Sequence, residues 1–130
     1  MADAVDVKTI HNGRYFIVAL QNRSDATGET NVTKVDISTL TDRAGRTALY
    51  CAVDRIEYSV FGMSHVRLNW DHTTPDEIAT LFGQGVIDAS GEGGRVDPRS
   101  AGGTGDILLS TIGAVAGGGY DMTLYLRPKA

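Results

Sequence analysis

The sequence is poor in cysteine, proline, aromatic residues and positive charge. A single cysteine, Cys51, excludes an internal disulfide and a cysteine-rich zinc site. It lies in the apolar run Leu49-Tyr50-Cys51-Ala52-Val53 with no activating base in the neighbouring pattern. The expectation is a buried small hydrophobe, not a nucleophile. No apolar run approaches the roughly 18 residues of a membrane-spanning helix. The opening Met1 to Asp6 is acidic and lacks the basic and hydrophobic regions of a secretory signal. One Trp, five Tyr and three Phe leave few aromatics for a sugar-binding platform. Twelve Lys and Arg stand against sixteen Asp and Glu, a formal charge of −4, which argues against a dedicated nucleic-acid binder. What is present is ordinary for a folded domain: 42% hydrophobic and 22% charged residues argue against global disorder. A chain of 130 residues fits one domain. Residues 1–130 are therefore expected to form a single β domain, with 1–6 as a flexible N-terminal arm.

Glycine is the one excess, at sixteen residues. Glycine-rich turns between short alternating segments point to an all-β fold. Val7 to Ile10 and Arg14 to Gln21 flank His11-Asn12-Gly13, a hairpin signal. The second of these segments is apolar on both faces, which predicts a central position or a subunit contact. Val32 to Ser38 alternates. Thr47 to Gly62 places Leu49, Cys51 and Val53 on odd positions, then Ile56, Tyr58 and Val60 on even ones. That change of parity predicts a bulge, or two abutting strands, near Asp54-Arg55. Ser64 to Asp71 sets Val66, Leu68 and Trp70 on one face, and Trp70 is expected in the core. Thr74-Pro75-Asp76-Glu77 reads as a capped helix start, with Ile78, Leu81 and Phe82 facing inward and Gly83 as its stop. Gly91 to Gly105 predicts a long loop. Asp106 to Ile112 and Tyr120 to Arg127 close the chain, joined by a hairpin-like link over Gly113 to Gly119. The expected fold class is all-β: a single-domain antiparallel β-sandwich, jelly-roll-like, with about seven or eight strands and at most one short helix near 75–82.

Few patterns carry chemistry. His65, Asp71 and His72 are close in sequence, but on an extended strand His65 and Asp71 stand about 20 Å apart, too far to share a metal ion. There is no G-x-S-x-G elbow. Asp54 and Glu57 are explained by pairing with Arg55 or a neighbouring strand as readily as by catalysis. The glycine-rich loop has no lysine and precedes a strand, so it fails the P-loop pattern. The sequons Asn22-Arg23-Ser24 and Asn31-Val32-Thr33 lack a secretory context. No cofactor and no enzymatic activity are expected. A binding or structural role is reached by elimination.

Two stretches narrow that role. Val60-Phe-Gly-Met-Ser-His-Val-Arg-Leu-Asn-Trp-Asp71 is the first; Thr104-Gly-Asp-Ile-Leu-Leu-Ser-Thr-Ile-Gly113 followed by Tyr120-Asp-Met-Thr-Leu-Tyr-Leu-Arg127 is the second. Their order resembles small virion structural proteins of tailed bacteriophages, over roughly the C-terminal three-fifths of the chain and most like capsid decoration (cement) proteins. The resemblance implies a protein of the virion, at the capsid surface and made in the host cytoplasm. It implies binding to the outer surface of the major capsid protein shell, stabilisation of that shell, and a homotrimer, with neither nucleic acid nor membrane as partner. A neck, tail or fibre module that binds a receptor or glycan is the alternative. Three regions are expected to make capsid or subunit contacts. They are the arm (Met1, Ala2, Asp3, Val5), the polar loop Asn22 to Asn31 (Arg23, Asp25, Thr27, Glu29) and the glycine-rich loop (Arg95, Asp97, Arg99).

Overall fold

The computed structural model describes residues 4–11, 16–41, 44–73, 75–89, 91, 94–96 and 103–129. Strict alternation of apolar and polar residues gives most of these an extended backbone, because one face of each strand can then be buried. Ten strands form: β1 (Ala4–His11), β2 (Phe16–Asp25), β3 (Val32–Val35), β4 (Tyr50–Phe61), β5 (His65–Trp70), β6 (Asp76–Leu81), β7 (Gln84–Asp88), β8 (Arg95–Val96), β9 (Ile107–Ile112) and β10 (Ala116–Lys129). A 3-10 turn, Ile37–Thr39, is capped by the Asp36 carboxylate, which accepts from the Ser38 N–H at 3.0 Å.

The strands make two antiparallel sheets. One has the order β1-β2-β10-β4-β7, with β8 also on β4; the other has the order β3-β9-β5-β6. The eight strands β2-β10-β4-β7 and β3-β9-β5-β6 have the strand order of a jelly roll, a sandwich of two Greek keys. β1 and β8 are additions to it, which accounts for ten strands among the described residues where the sequence predicts about seven or eight. The inner faces meet in one core of Val18, Leu20, Ile56, Val66, Leu68, Ile107, Leu109, Tyr120, Leu124 and Leu126, among others. Trp70 and Cys51 are buried in it as expected.

The parity change at Asp54 is a bulge. Tyr125 pairs with Arg55 and Leu126 with Val53, leaving Asp54 as the extra residue of β4. The edge strand breaks at the same level. β7 pairs with β4 from Arg55 to Ser59, β8 pairs with Ala52 and Val53, and between them the Ala89 N–H donates to the Asp54 carbonyl at 2.8 Å. The expected loop from 91 therefore contains a short strand at Arg95–Val96.

The expected helix near 75–82 is not formed. Its residues make β6, the following turn and no helical turn at all. The cause is a second bulge: Leu68 pairs with Ala79 but Asn69 with Glu77, so Ile78 is extra. The bulge lets Ile78, Ala79 and Leu81 all face the core, and that spacing mimics a helical stripe. Gly83 does mark a stop, but of a strand: it makes a positive-φ turn, and its carbonyl accepts from the Val60 N–H at 2.7 Å. The link Gly113 to Gly119 is likewise not a hairpin. β9 and β10 belong to opposite sheets, so the link crosses from one sheet to the other. Here glycine is required, since a Cβ on Gly119 would collide with the Asn22 carbonyl and one on Gly118 with that of Gly62.

Candidate interaction surfaces

The loop from Ala26 to Asn31, between β2 and β3, is built around a buried acid. Glu29 lies inside the sandwich, where one carboxylate oxygen meets the Lys34 ammonium at 2.5 Å. The other accepts from the Asn22 side-chain amide at 2.9 Å and from the Tyr120 hydroxyl at 2.7 Å. Both side chains of the ion pair are nearly solvent-free, at 3% and 6% exposure. Such a pair persists only when further hydrogen bonds compensate lost hydration, and Tyr120 and Asn22 supply them. The main chain is clamped as well. The Glu29 N–H donates to Thr111 Oγ1 at 2.8 Å, the Thr111 N–H returns to the Glu29 carbonyl at 2.9 Å, and the Asn31 N–H donates to Ser110 Oγ at 2.8 Å. On either side of this anchor, Ala26 and Asn31 hold positive φ, at 81° and 46°. Asparagine tolerates that region; alanine does so at a cost. The loop is thus held in one shape from within.

This loop shares an end of the sandwich with three others. Gly62 packs on Gly118 and reaches Val115. The Phe82–Gly83 turn arrives beside Val60 through the bond described above. Gly28 lies against Thr111 and Ala114. Phe61, Phe82 and Val115 are exposed here, Phe82 most of all at 69%. Arg23 covers part of the Phe61 ring, its guanidinium carbon 5.4 Å from the centroid, and pairs with Asp121 at 3.6 Å. Aromatic residues and arginine are the types enriched where proteins meet a partner.

The contact residues expected from sequence are distributed unevenly over this frame. Arg23, Asp25 and Thr27 lie at the loop end, where the Asp25 carboxylate accepts from the Thr27 N–H at 3.0 Å. Glu29 is corrected: it is buried and holds the loop in shape, so it presents nothing to a partner. Val5 sits in β1, so the described part of the expected arm, from Ala4, is paired strand. Met1, Ala2, Asp3, Asp97 and Arg99 lie outside the described residues. Arg95 belongs to the opposite side, where its Nη1 donates to the bulged Ile78 carbonyl at 2.5 Å. It lines a cavity of about 470 Å³ with Trp70, Asp76, Glu77, Ile78 and Val96. Sequence reasoning missed this set: Phe82 reads as the inward face of a helix, while Phe61, off the parity of Ile56, Tyr58 and Val60, and Val115, in the Gly113 to Gly119 link, are given no role.

Other polar groupings hold the fold. The bulged Asp54 is buried and its Oδ2 accepts from Arg127 Nε at 2.6 Å. The His72 ring is fully buried and its Nδ1 lies 2.5 Å from Asp76 Oδ2, closing the turn before β6. Ser64 Oγ lies 3.1 Å from His65 Nδ1. His65 Nε2 has no hydrogen-bond partner among the described residues, so the pair lacks the third group that orients a catalytic imidazole. Among the described residues no group of three His, Cys, Asp or Glu side chains is placed to hold a metal ion. Comparison of the chain with family models, with curated proteins and with solved structures gave no match.

Proposed function

We propose that this protein is a virion component of a tailed bacteriophage, a decoration protein that binds the outer face of the major capsid protein shell and stabilises it, acting by binding rather than catalysis and assembling as a homotrimer. One observation carries the reading. The stretches that resemble such proteins are not scattered but meet in space: Val60 to Asp71 supplies β5, Thr104 to Gly113 supplies β9, and these pair along their whole length from His65 with Ile112 to Trp70 with Ile107. The end of the second stretch, Tyr120 to Arg127, lies in β10 of the other sheet, against β4, whose last residues Val60 and Phe61 open the first stretch and pair with Tyr120 and Gly119. A resemblance concentrated in mutually paired strands is a resemblance of fold unit. The loop end with Phe61, Phe82, Val115 and Arg23 is the proposed face toward the shell. A protein that binds only the assembled shell stabilises it by mass action, and a trimer multiplies weak contacts into a firm one.

The test is quantitative mass spectrometry of purified particles with the major capsid protein as internal standard. A lattice position predicts about one copy per shell subunit. A copy number far below that moves the protein to the neck, tail or fibre. Absence from particles overturns the virion reading. Phe82→Ser and Phe61→Ser are expected to weaken binding to shells that lack the protein while leaving the fold intact; unchanged binding would remove this face from the proposal.

A further inference from the structure

β1 stands outside the jelly roll proper. It pairs with β2 from Ala4 with Arg23 to His11 with Phe16, and among the described residues nothing pairs with its other edge. Directly opposite residues share a face of a sheet. Val5 and Val7, opposite Asn22 and Leu20, therefore face the same side as the core. They are nonetheless 50% and 42% exposed, because the second sheet does not extend over them. Asp6 and Lys8 stand on the outer face, both exposed, their charged atoms 3.7 Å apart. An uncapped edge with free N–H and C=O groups is a template for another strand, and evolved proteins usually blunt such edges.

We infer that β1 is a self-association edge, at which two copies of this chain pair antiparallel about a two-fold axis centred on Val7. The charge pattern selects the occupant and the register. On a two-fold axis, paired residue numbers sum to a fixed even value, because a shift by one residue would set opposite faces together. Centred on Asp6, the strands oppose two carboxylates; centred on Lys8, they oppose two ammonium groups. Centred on Val5 or Thr9, neither charge meets its opposite and the overlap shortens. Centred on Val7, Asp6 of each copy meets Lys8 of the other, Val7 meets Val7, and Val5 meets Thr9. The outer face then carries two ion pairs and the inner face closes its uncovered apolar ledge on itself. Main-chain hydrogen bonds supply the affinity and the alternate side chains the register, as in strand addition generally. The larger sheet becomes continuous through two subunits. A two-fold contact of this kind joins trimers to one another rather than replacing the threefold contact proposed above. It goes beyond the virion reading and does not rest on it.

The experiment is a dilution series of the full chain by sedimentation velocity at low salt, from about 1 μM to about 1 mM. Reversible association is expected for the wild type. Asp6→Lys and Lys8→Asp are each expected to weaken it about tenfold or more, since each turns two attractive cross-strand pairs into repulsive ones. The double variant carrying both is expected to return it to within about threefold of wild type. Far-UV circular dichroism checks that all three remain folded, which their exposure makes certain to be informative. In parallel, Val7→Cys is expected to give a disulfide-linked dimer under mild oxidation, while the wild type, whose single cysteine is buried, stays unlinked. A mass independent of concentration overturns the proposal. So does association insensitive to the single reversals, failure of the double variant to recover, or absence of the Val7→Cys cross-link. Particle binding is unaffected by any of these outcomes, so the two proposals fail separately.

Discussion

Two carboxylate–ammonium pairs in this molecule use the same chemical groups to opposite effect. Glu29 and Lys34 meet at 2.5 Å inside the sandwich, with Tyr120 and Asn22 completing the shell of the carboxylate. Asp6 and Lys8 meet at 3.7 Å on the outer face of an edge strand, half or more exposed to water. In the interior neither group can fall back on solvent, so each depends on the other. At the edge water replaces either partner at almost no cost. The buried pair fixes a loop, whereas the exposed pair leaves its charges available to another molecule.

The sharpest break in that comparison is Glu29→Ala. It strands a buried lysine and unties Tyr120 and Asn22, and a loss of about 3–5 kcal/mol is expected in denaturant melts. A loss below about 1 kcal/mol would mean that water reaches Lys34 in the folded state. Arg127→Met tests an intermediate case. Asp54 is buried but Arg127 is 24% exposed, so water can take the place of the removed guanidinium beside the carboxylate; a smaller loss of about 2 kcal/mol is expected.

A third variant examines an acid with no ion pair among the described residues. Burial pushes the Asp106 carboxyl above its ordinary value, with Asp36 and Asp71 adding to the rise and the Ile37 N–H, donating at 2.8 Å, opposing it. The folded state then holds this proton more tightly than the unfolded state. Its contribution favours folding below pH 3.8 and weakens as pH climbs through the raised value. Asp106→Asn keeps an acceptor for Ile37 and removes the charge. The variant's urea midpoint is expected to gain on the wild type from pH 4 to pH 7, and a constant gap would contradict the assignment. Smallest of all, Lys8→Ala is expected to change the stability of the dilute protein by no more than about 0.5 kcal/mol. A larger loss would show that β1 depends on its own charges rather than on β2.

The same contrast between interior and edge explains what the sequence made legible. β2 was legible as a segment apolar on both faces, while alternation revealed β4, β5, β9 and β10, because each has one face committed to the core. It also revealed the Asp54 bulge, since a single extra residue reverses parity and the reversal is visible in Val53 and Ile56. The bulge at Ile78 deceived for the same reason: in a strand of six residues the reversal leaves no second half to compare, and the remaining spacing resembles a helix. Of the candidate surface, Arg23, Asp25 and Thr27 were legible as a polar loop tip. The burial of Glu29 was not, because its partners Asn22, Lys34 and Tyr120 come from three strands and leave no common period. Phe82 looks like core until the turn at Gly83 is placed, and Phe61 and Val115 carry no signal until the turns at Gly62 and Gly118 bring them to the same end.

Strand order has a consequence for how the protein is made. β10 is the final strand of the described chain, yet it lies between β2 and β4 and pairs with both. Tyr120 reaches back 91 residues to Glu29. As a ribosome extends the chain, β2 and β4 emerge before the strand that joins them in the finished sheet. The larger sheet cannot close until translation has passed Lys129 and the exit tunnel has released it. Termination before Ala116 would therefore remove the strand that β2 and β4 share, and with it the continuity of the larger sheet.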